Sequence, residues 1–136
     1  MNHKLVDEWF RLGDMDLAVA RNCEATMHPK PLEMICFHCQ QAVEKYLKGY
    51  LAYQTHCFIP KTHKLLELCL LCQAYEPQFG ELKRHCATLT SYAVQSRYPG
   101  GIEFEEPQMQ RALHYAAEIK AFPPLAQLRK EIEDAQ

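Results

Sequence analysis

The sequence predicts an all-α protein, a four- to five-helix bundle in an up-and-down arrangement. Three observations support this fold class. Apolar residues recur at steps of three and four along most of the chain, whereas the alternation typical of β-strands is scarce. Prolines and glycines interrupt these stretches at short intervals. The connections are therefore short, which favours antiparallel neighbouring helices.

The apolar spacing sets the order of the predicted helices. We expect them at about residues 4–22, 32–54, 79–96 and 107–122, with a further helix that follows an N-cap at Thr62 and includes Cys69 and Cys72. The prolines between these segments cannot continue a preceding helix. The bundle is expected to span residues 1–122. A short amphipathic tail over residues 123–136 follows, with Leu125, Leu128 and Ile132 on its apolar side.

Composition narrows the classes of function. With 136 residues, the chain is most simply one domain. Its formal net charge is -2 and it has no block of five or more Lys and Arg residues, so general DNA or RNA binding is not expected. A small local phosphate site stays open.

Two features indicate a cytoplasmic protein. The first residues, MNHKLVDEWF, lack the apolar core of a secretory signal, and no run reaches the roughly 20 apolar residues of a membrane span. The seven cysteines are an odd number, which favours reduced thiols. No cofactor is expected.

Two Cys-x-x-Cys pairs invite a metal interpretation, Cys36 with Cys39 and Cys69 with Cys72. Four thiolates suit a structural zinc ion. Both pairs lie within helical patterns, and three of the four cysteines fall in apolar stripes, where Cys acts as a small apolar residue. The pattern favours core cysteines, with a zinc site as the alternative. A redox motif is less favoured because no strand precedes either pair.

One face of the second helix is polar. Gln41, Lys45 and Lys48 are spaced so that they share a side of the helix, and Glu44 lies beside Lys48 in the favourable acid-before-base order. A solvated face with a weak helix salt bridge explains this pattern. The alternative is a site for a phosphate or an acidic partner, with the lysines as point charges.

Several motifs in order resemble the HEPN domain family. They begin with Trp9 and the Asp16-Leu17 pair, and continue with CQQAVEKYLKGYL at 39–51, KTHKLLEL at 61–68 and SRYP at 96–99. The resemblance covers roughly residues 5–121. It implies a helical bundle, often a homodimer, in a bacterial or archaeal cytoplasm. It also implies nucleotide binding and work with a separate minimal nucleotidyltransferase chain, in some cases as a toxin–antitoxin pair.

Many members of this family are metal-independent ribonucleases whose signature is Arg, four to six residues, then His. This chain departs from that signature, because the first histidine after Arg97 is His114. A non-catalytic binding protein is therefore the favoured interpretation. The alternative is a ribonuclease toxin that assembles an atypical pair from Arg97 and His114 across a dimer.

Three further residues are candidates for the ligand or partner site. His63 lies at a predicted helix start, where it either helps the cap or meets an anion. Arg97 ends the fourth helix, and its guanidinium suits a phosphate or a partner carboxylate. Tyr98 could stack on a base, although a Tyr before Pro more often closes the end of a bundle. The predicted site is Gln41, Lys45, Lys48, His63, Arg97 and Tyr98.

Overall fold

The computed structural model describes residues 3–56, 58–96, 98–100 and 103–136, and this part of the chain contains α-helices and no strand. The helices are α1 (His3–Thr26), α2 (Leu32–Gln54), α3 (Leu65–Tyr75), α4 (Lys83–Gln95), α5 (Glu106–Lys120) and α6 (Pro123–Asp134). A 3-10 helix, Pro77–Leu82, joins α3 to α4. The all-α fold class is confirmed.

Helix α2 is the centre of the bundle and packs against each of the other five α-helices. It begins and ends at the predicted residues, and most of its residues from Ile35 to Ala52 are buried. Two glycines let α1 approach it closely. A Cβ atom on Gly13 would lie 2.6 Å from Cε1 of Tyr46, and one on Gly49 would lie 2.7 Å from Cε1 of Phe10. The close contact of α1 with α2 therefore depends on positions without a side chain.

The segment between α2 and α3 packs against α2. Gln40 of α2 donates to the backbone carbonyl of His63 at 3.2 Å, and the Cys72 thiol donates to the carbonyl of Leu47 at 3.7 Å. Contacts therefore advance in the same direction along both helices, so α3 runs parallel to α2. This differs from the antiparallel arrangement expected of sequential helices, because the irregular segment 58–64 runs back along α2.

Two predicted boundaries are wrong. Thr62 is not the N-cap of α3, whose N-cap residue is Lys64 and has no side-chain cap. The Thr62 hydroxyl instead donates to Glu67 at 2.7 Å, and Thr90 of α4 accepts from the Leu65 backbone at 3.2 Å. The fourth helix begins at Lys83 rather than near Phe79, because Pro77 opens a 3-10 turn in which Phe79 is buried.

The predicted tail is helix α6, and it packs on the bundle. Leu125, Leu128 and Ile132 are buried, as their spacing predicts. Arg129 contacts α1 through two hydrogen bonds to Asp14, and its guanidinium lies 4.9 Å from the centre of the Phe10 ring. A division of the chain at residue 122 stays a prediction. Within the described residues, no helix combines the length and the apolar character that a membrane span requires.

Candidate functional site

The polar residues of α2 meet two carboxylates rather than open solvent. Lys45 forms an ion pair with Asp16 of α1, and the same carboxylate lies 3.0 Å from Nδ1 of His38. The Asp16 side chain is only 13% exposed. Lys45 is therefore a paired group that joins α1 to α2, and its charge is largely compensated within the bundle.

The second carboxylate, Glu44, is buried and has three partners. Lys48 donates to it at 3.1 Å, and the two side chains are 8% and 6% exposed. Nδ1 of His63 lies 3.2 Å from Glu44, and Gln40 donates to it at 3.3 Å. The solvated helix salt bridge expected for Glu44 and Lys48 is corrected here, because the spacing is right but the pair is buried.

Two further contacts complete this arrangement. Gln41 donates to the side-chain oxygen of Gln40 at 2.8 Å. The Lys48 ammonium lies 5.8 Å from the centre of the Trp9 ring, which is within the range of a cation–π contact. We call Gln40, Gln41, Glu44, Lys48 and His63 the α2 network. Within it, His63 is the member that faces solvent, with 71% of its side chain exposed.

The structure joins some predicted site residues and separates others. Gln41, Lys48 and His63 belong to one network, and Lys45 pairs with Asp16 next to it. Tyr98 is 69% exposed, and no hydrogen bond or ring contact among the described residues connects it to the α2 network. Arg97 lies outside the described residues.

The alternative catalytic residue, His114, lies elsewhere in the bundle. Its Nε2 contacts the carboxylate of Glu118 one turn further along α5, and Glu118 also lies 3.1 Å from Nε2 of His85 on α4. Arg111, the arginine nearest to His114 in sequence, donates to the Tyr92 hydroxyl at 2.9 Å. His114 is 71% exposed, the same exposed fraction as His63.

The four cysteines of the zinc alternative are all buried in the core: Cys36, Cys39, Cys69 and Cys72. Burial raises the pKa of Cys36 and of Cys39 to about 12, so both are thiols at neutral pH. The Cys69 and Cys72 thiols donate to backbone carbonyls. Within the described ranges, no group of three or more His, Cys, Asp or Glu residues is arranged to hold a metal ion.

Three further side chains contribute to the candidate site, and the sequence does not indicate their part in it. Gln40 and Asp16 hold the candidate side chains in place, and Trp9 covers Lys48. Gln40 is only 1% exposed, which is unusual for a polar residue unless it is hydrogen-bonded. Gln40 lies one residue before the polar stripe of α2, and nothing in the sequence indicates that it is buried. Only the packing of segment 58–64 shows this.

The helical bundle makes the described part of the chain an all-α domain. The model of the HEPN domain matches residues 6–124, which is most of the chain. The protein therefore belongs to the HEPN domain family. Comparison with curated proteins and with solved structures gave no significant match.

Proposed function

We propose that this HEPN protein is a non-catalytic binding module. In this proposal, the surface around His63 binds an anionic group of a nucleotide or of a separate minimal nucleotidyltransferase chain, as one half of a two-gene, toxin–antitoxin-like module. The observation that carries the proposal is the buried Glu44–Lys48 pair, whose third partner is the exposed His63 ring.

A buried ion pair is a poor device for stability alone. Removing two charges from water costs several kcal/mol per ion, and apolar residues of similar volume often serve the core as well or better. A buried pair of this kind is better explained by a role in holding another side chain in one position. Here it fixes the His63 ring, while Gln40 holds the backbone of the same residue.

The exposed groups beside His63 suit an anion. Lys61 and Lys64 are exposed on either side of it in the sequence. The negative charge of Glu44 lies beneath the surface and is paired with Lys48. Lysines act as point charges toward phosphate or carboxylate oxygens. The Nδ1–H of His63 donates to Glu44, so the exposed Nε2 donates to an anion when the ring is in its imidazolium form.

The first experiment is to capture the tagged full-length chain from its own cells and to identify the co-purifying proteins by mass spectrometry. We expect a nucleotidyltransferase chain in stoichiometric amount, and we expect His63→Ala to abolish its capture. Titration of the purified chain with ATP, followed by calorimetry, tests the nucleotide directly.

His114→Ala is the matched control, because both histidines have the same exposed fraction and each contacts a carboxylate. It should leave capture and ATP binding unchanged. If His63→Ala also leaves both unchanged, the α2 network is not the binding site. If only RNA is captured, and His114→Ala rather than His63→Ala abolishes its cleavage, the ribonuclease alternative replaces the proposal.

A further inference from the structure

The His63 ring contacts the buried part of the α2 network through one nitrogen. Its Nδ1 lies 3.3 Å from Oε1 and 3.2 Å from Oε2 of Glu44. Because an ionised carboxylate accepts hydrogen bonds and donates none, this contact requires a ring proton on Nδ1. The side chain is 71% exposed, so the other nitrogen, Nε2, is the one that a ligand can reach.

The position of this proton determines what the neutral ring can bind. A neutral imidazole has one N–H donor and one acceptor nitrogen. With the proton on Nδ1, Nε2 of the neutral ring presents a lone pair, which repels an anion. Moving the proton to Nε2 would break the contact with Glu44 and turn a second lone pair toward a buried carboxylate. The neutral ring is therefore a poor ligand for an anion.

A second proton makes both ring nitrogens donors. The imidazolium ring keeps its Nδ1–H on Glu44 and offers its Nε2–H to an anion. Glu44 is also held by Lys48 at 3.1 Å and by Gln40 at 3.3 Å, so its position does not depend on the charge of the ring. Histidine is the side chain that ordinarily gains such a proton between about pH 8 and pH 5.

We propose that anion binding at His63 is proton-linked: the ring takes up a proton from solvent as the anion binds, and the site weakens as the pH rises from about 6 to about 8. This inference rests on the proposed function and adds its regulation. The ligand group is one whose oxygens accept an N–H donor, such as a phosphate, a sulfate or a carboxylate. Since linkage is reciprocal, the bound anion in turn favours the imidazolium form.

The other charged groups near His63 do not produce this dependence. Lys61 and Lys64 flank it in the sequence and are exposed. Glu67 of α3 accepts a hydrogen bond from Thr62 at 2.7 Å and lies 4.0 Å from Lys64. Lysines and carboxylates ordinarily keep their charges throughout this pH range. A site made of these groups alone would therefore bind an anion equally well at either end of the range.

The first test locates the ring proton. Nitrogen-15 spectra of the imidazole rings of the full-length chain at about pH 8 distinguish Nδ1–H from Nε2–H, and His63→Ala and His114→Ala assign the signals. We expect His63 to carry Nδ1–H. His114 is the internal control, because its Nε2 contacts Glu118 and should carry the proton instead. A neutral His63 ring with its proton on Nε2 would overturn the inference.

The second test is the binding of sulfate to the full-length chain, measured by calorimetry at constant ionic strength. Sulfate keeps one charge over this range, whereas phosphate groups titrate within it. We expect a dissociation constant roughly tenfold or more larger at about pH 8 than at about pH 6. Buffers of different ionisation enthalpy should reveal the uptake of about one proton per sulfate at the higher pH. His63→Ala should bind more weakly at the lower pH and lose the dependence on pH.

The results separate this inference from the proposed function. Sulfate binding that requires His63 but is equally strong at both pH values, without proton uptake, would overturn the inference alone. Binding that His63→Ala leaves unchanged at both pH values, or no binding at either, would overturn the inference and the anion site of the proposed function together.

Glu44→Gln tests the role of the buried carboxylate. An amide can either accept from Nδ1–H or donate to Nδ1, so the variant permits a neutral His63 ring with Nε2–H. Its sulfate binding should therefore depend less steeply on pH than that of the parent chain. An equally steep dependence would show that Glu44 does not set the position of the proton. Circular dichroism verifies the helices of the variant, and if it does not fold, the spectra and binding of the parent chain still decide the inference.

Discussion

At the scale of single residues, burial decides what the polar side chains of α2 do. Spacing places Gln41, Lys45 and Lys48 on one side of the helix, and the structure keeps them there. It also buries Lys48 beside Glu44 and pairs Lys45 with Asp16. Neither lysine is therefore a free point charge for a ligand. The exposed member of the α2 network is His63, which Glu44 and Gln40 hold in place.

The Glu44–Lys48 pair predicts an asymmetric response to substitution. Lys48→Met should lower the free energy of unfolding by about 3–5 kcal/mol, because it leaves the Glu44 carboxylate buried without its cation. Adding Glu44→Leu should recover much of this loss, since the uncompensated charge is then removed. Urea unfolding of the two variants and the parent chain measures both effects.

The control for this pair is Arg11→Met, which removes the cation of the exposed Glu8–Arg11 pair on α1. It should change stability little, because exposed ion pairs are screened by water. A Lys48→Met variant that unfolds at the same urea concentration as Arg11→Met would show that burial of the pair has no energetic consequence.

At the scale of elements, the sequence predicts where the helices lie better than it predicts the residues at which they begin and end. Helix α2 has the predicted bounds because Pro31 precedes it and a broad apolar stripe runs its whole length. The observed start of α3 differs from the predicted one because Thr62 has the chemistry of a cap but uses its hydroxyl to contact Glu67. The apolar spacing does not separate the 3-10 turn from α4, because the burial of Phe79 depends on tertiary packing.

Local sequence signals also fail to predict the tertiary contacts of the candidate site. The sequence could put forward His63 and the polar stripe of α2 as candidate site residues, but it could not show that they are in contact. Their contact requires segment 58–64 to run back along α2, so that His63 reaches Glu44 across a separation of 19 residues. Helical periodicity relates residues within a helix, and it carries no information about such a return path.

Because α1 and α2 are in close contact, we expect that adding even a small side chain at either of two glycines destabilises the fold. Gly13→Ala and Gly49→Ala should each lower the free energy of unfolding by about 1–3 kcal/mol, because the added methyl group would overlap a buried ring. The clash at Gly13 is with Tyr46, and the clash at Gly49 is with Phe10. Thermal or urea unfolding measures the effect.

Gly80→Ala is the control for these two substitutions. Its added methyl group would meet Nε2 of Gln73 at 2.8 Å, which is the far end of a flexible side chain that can move away. Gly80→Ala should therefore lower the free energy of unfolding by less than Gly13→Ala or Gly49→Ala. Equal losses at all three glycines would contradict the tight packing of α1 on α2.

At the scale of the whole molecule, Asp14 of α1 joins four helices through one carboxylate. It accepts a hydrogen bond from Tyr46 of α2 at 2.7 Å and lies 3.3 Å from Lys120 of α5. It also accepts two hydrogen bonds from Arg129 of α6. Burial alone would raise the pKa of Asp14, but the hydrogen bond from Tyr46 and the charges of Arg129 and Lys120 outweigh it and hold the pKa below its ordinary value.

This pKa shift sets the pH range over which Asp14 stabilises the fold. A carboxyl group whose pKa is lower in the folded chain than in the unfolded one contributes stability above the unfolded value, about 3.9, and loses it as the pH falls through the folded value. The stability difference between the parent chain and Asp14→Asn should therefore be constant from neutral pH down to about pH 5. It should shrink as the pH falls below about 4, which urea unfolding at a series of pH values measures.

Asp134→Asn, which removes an exposed carboxylate outside this cluster, should leave stability at neutral pH unchanged. A difference for Asp14→Asn that persists unchanged into acid would mean that the asparagine disturbs packing, and that the charge of Asp14 does not hold the four helices together.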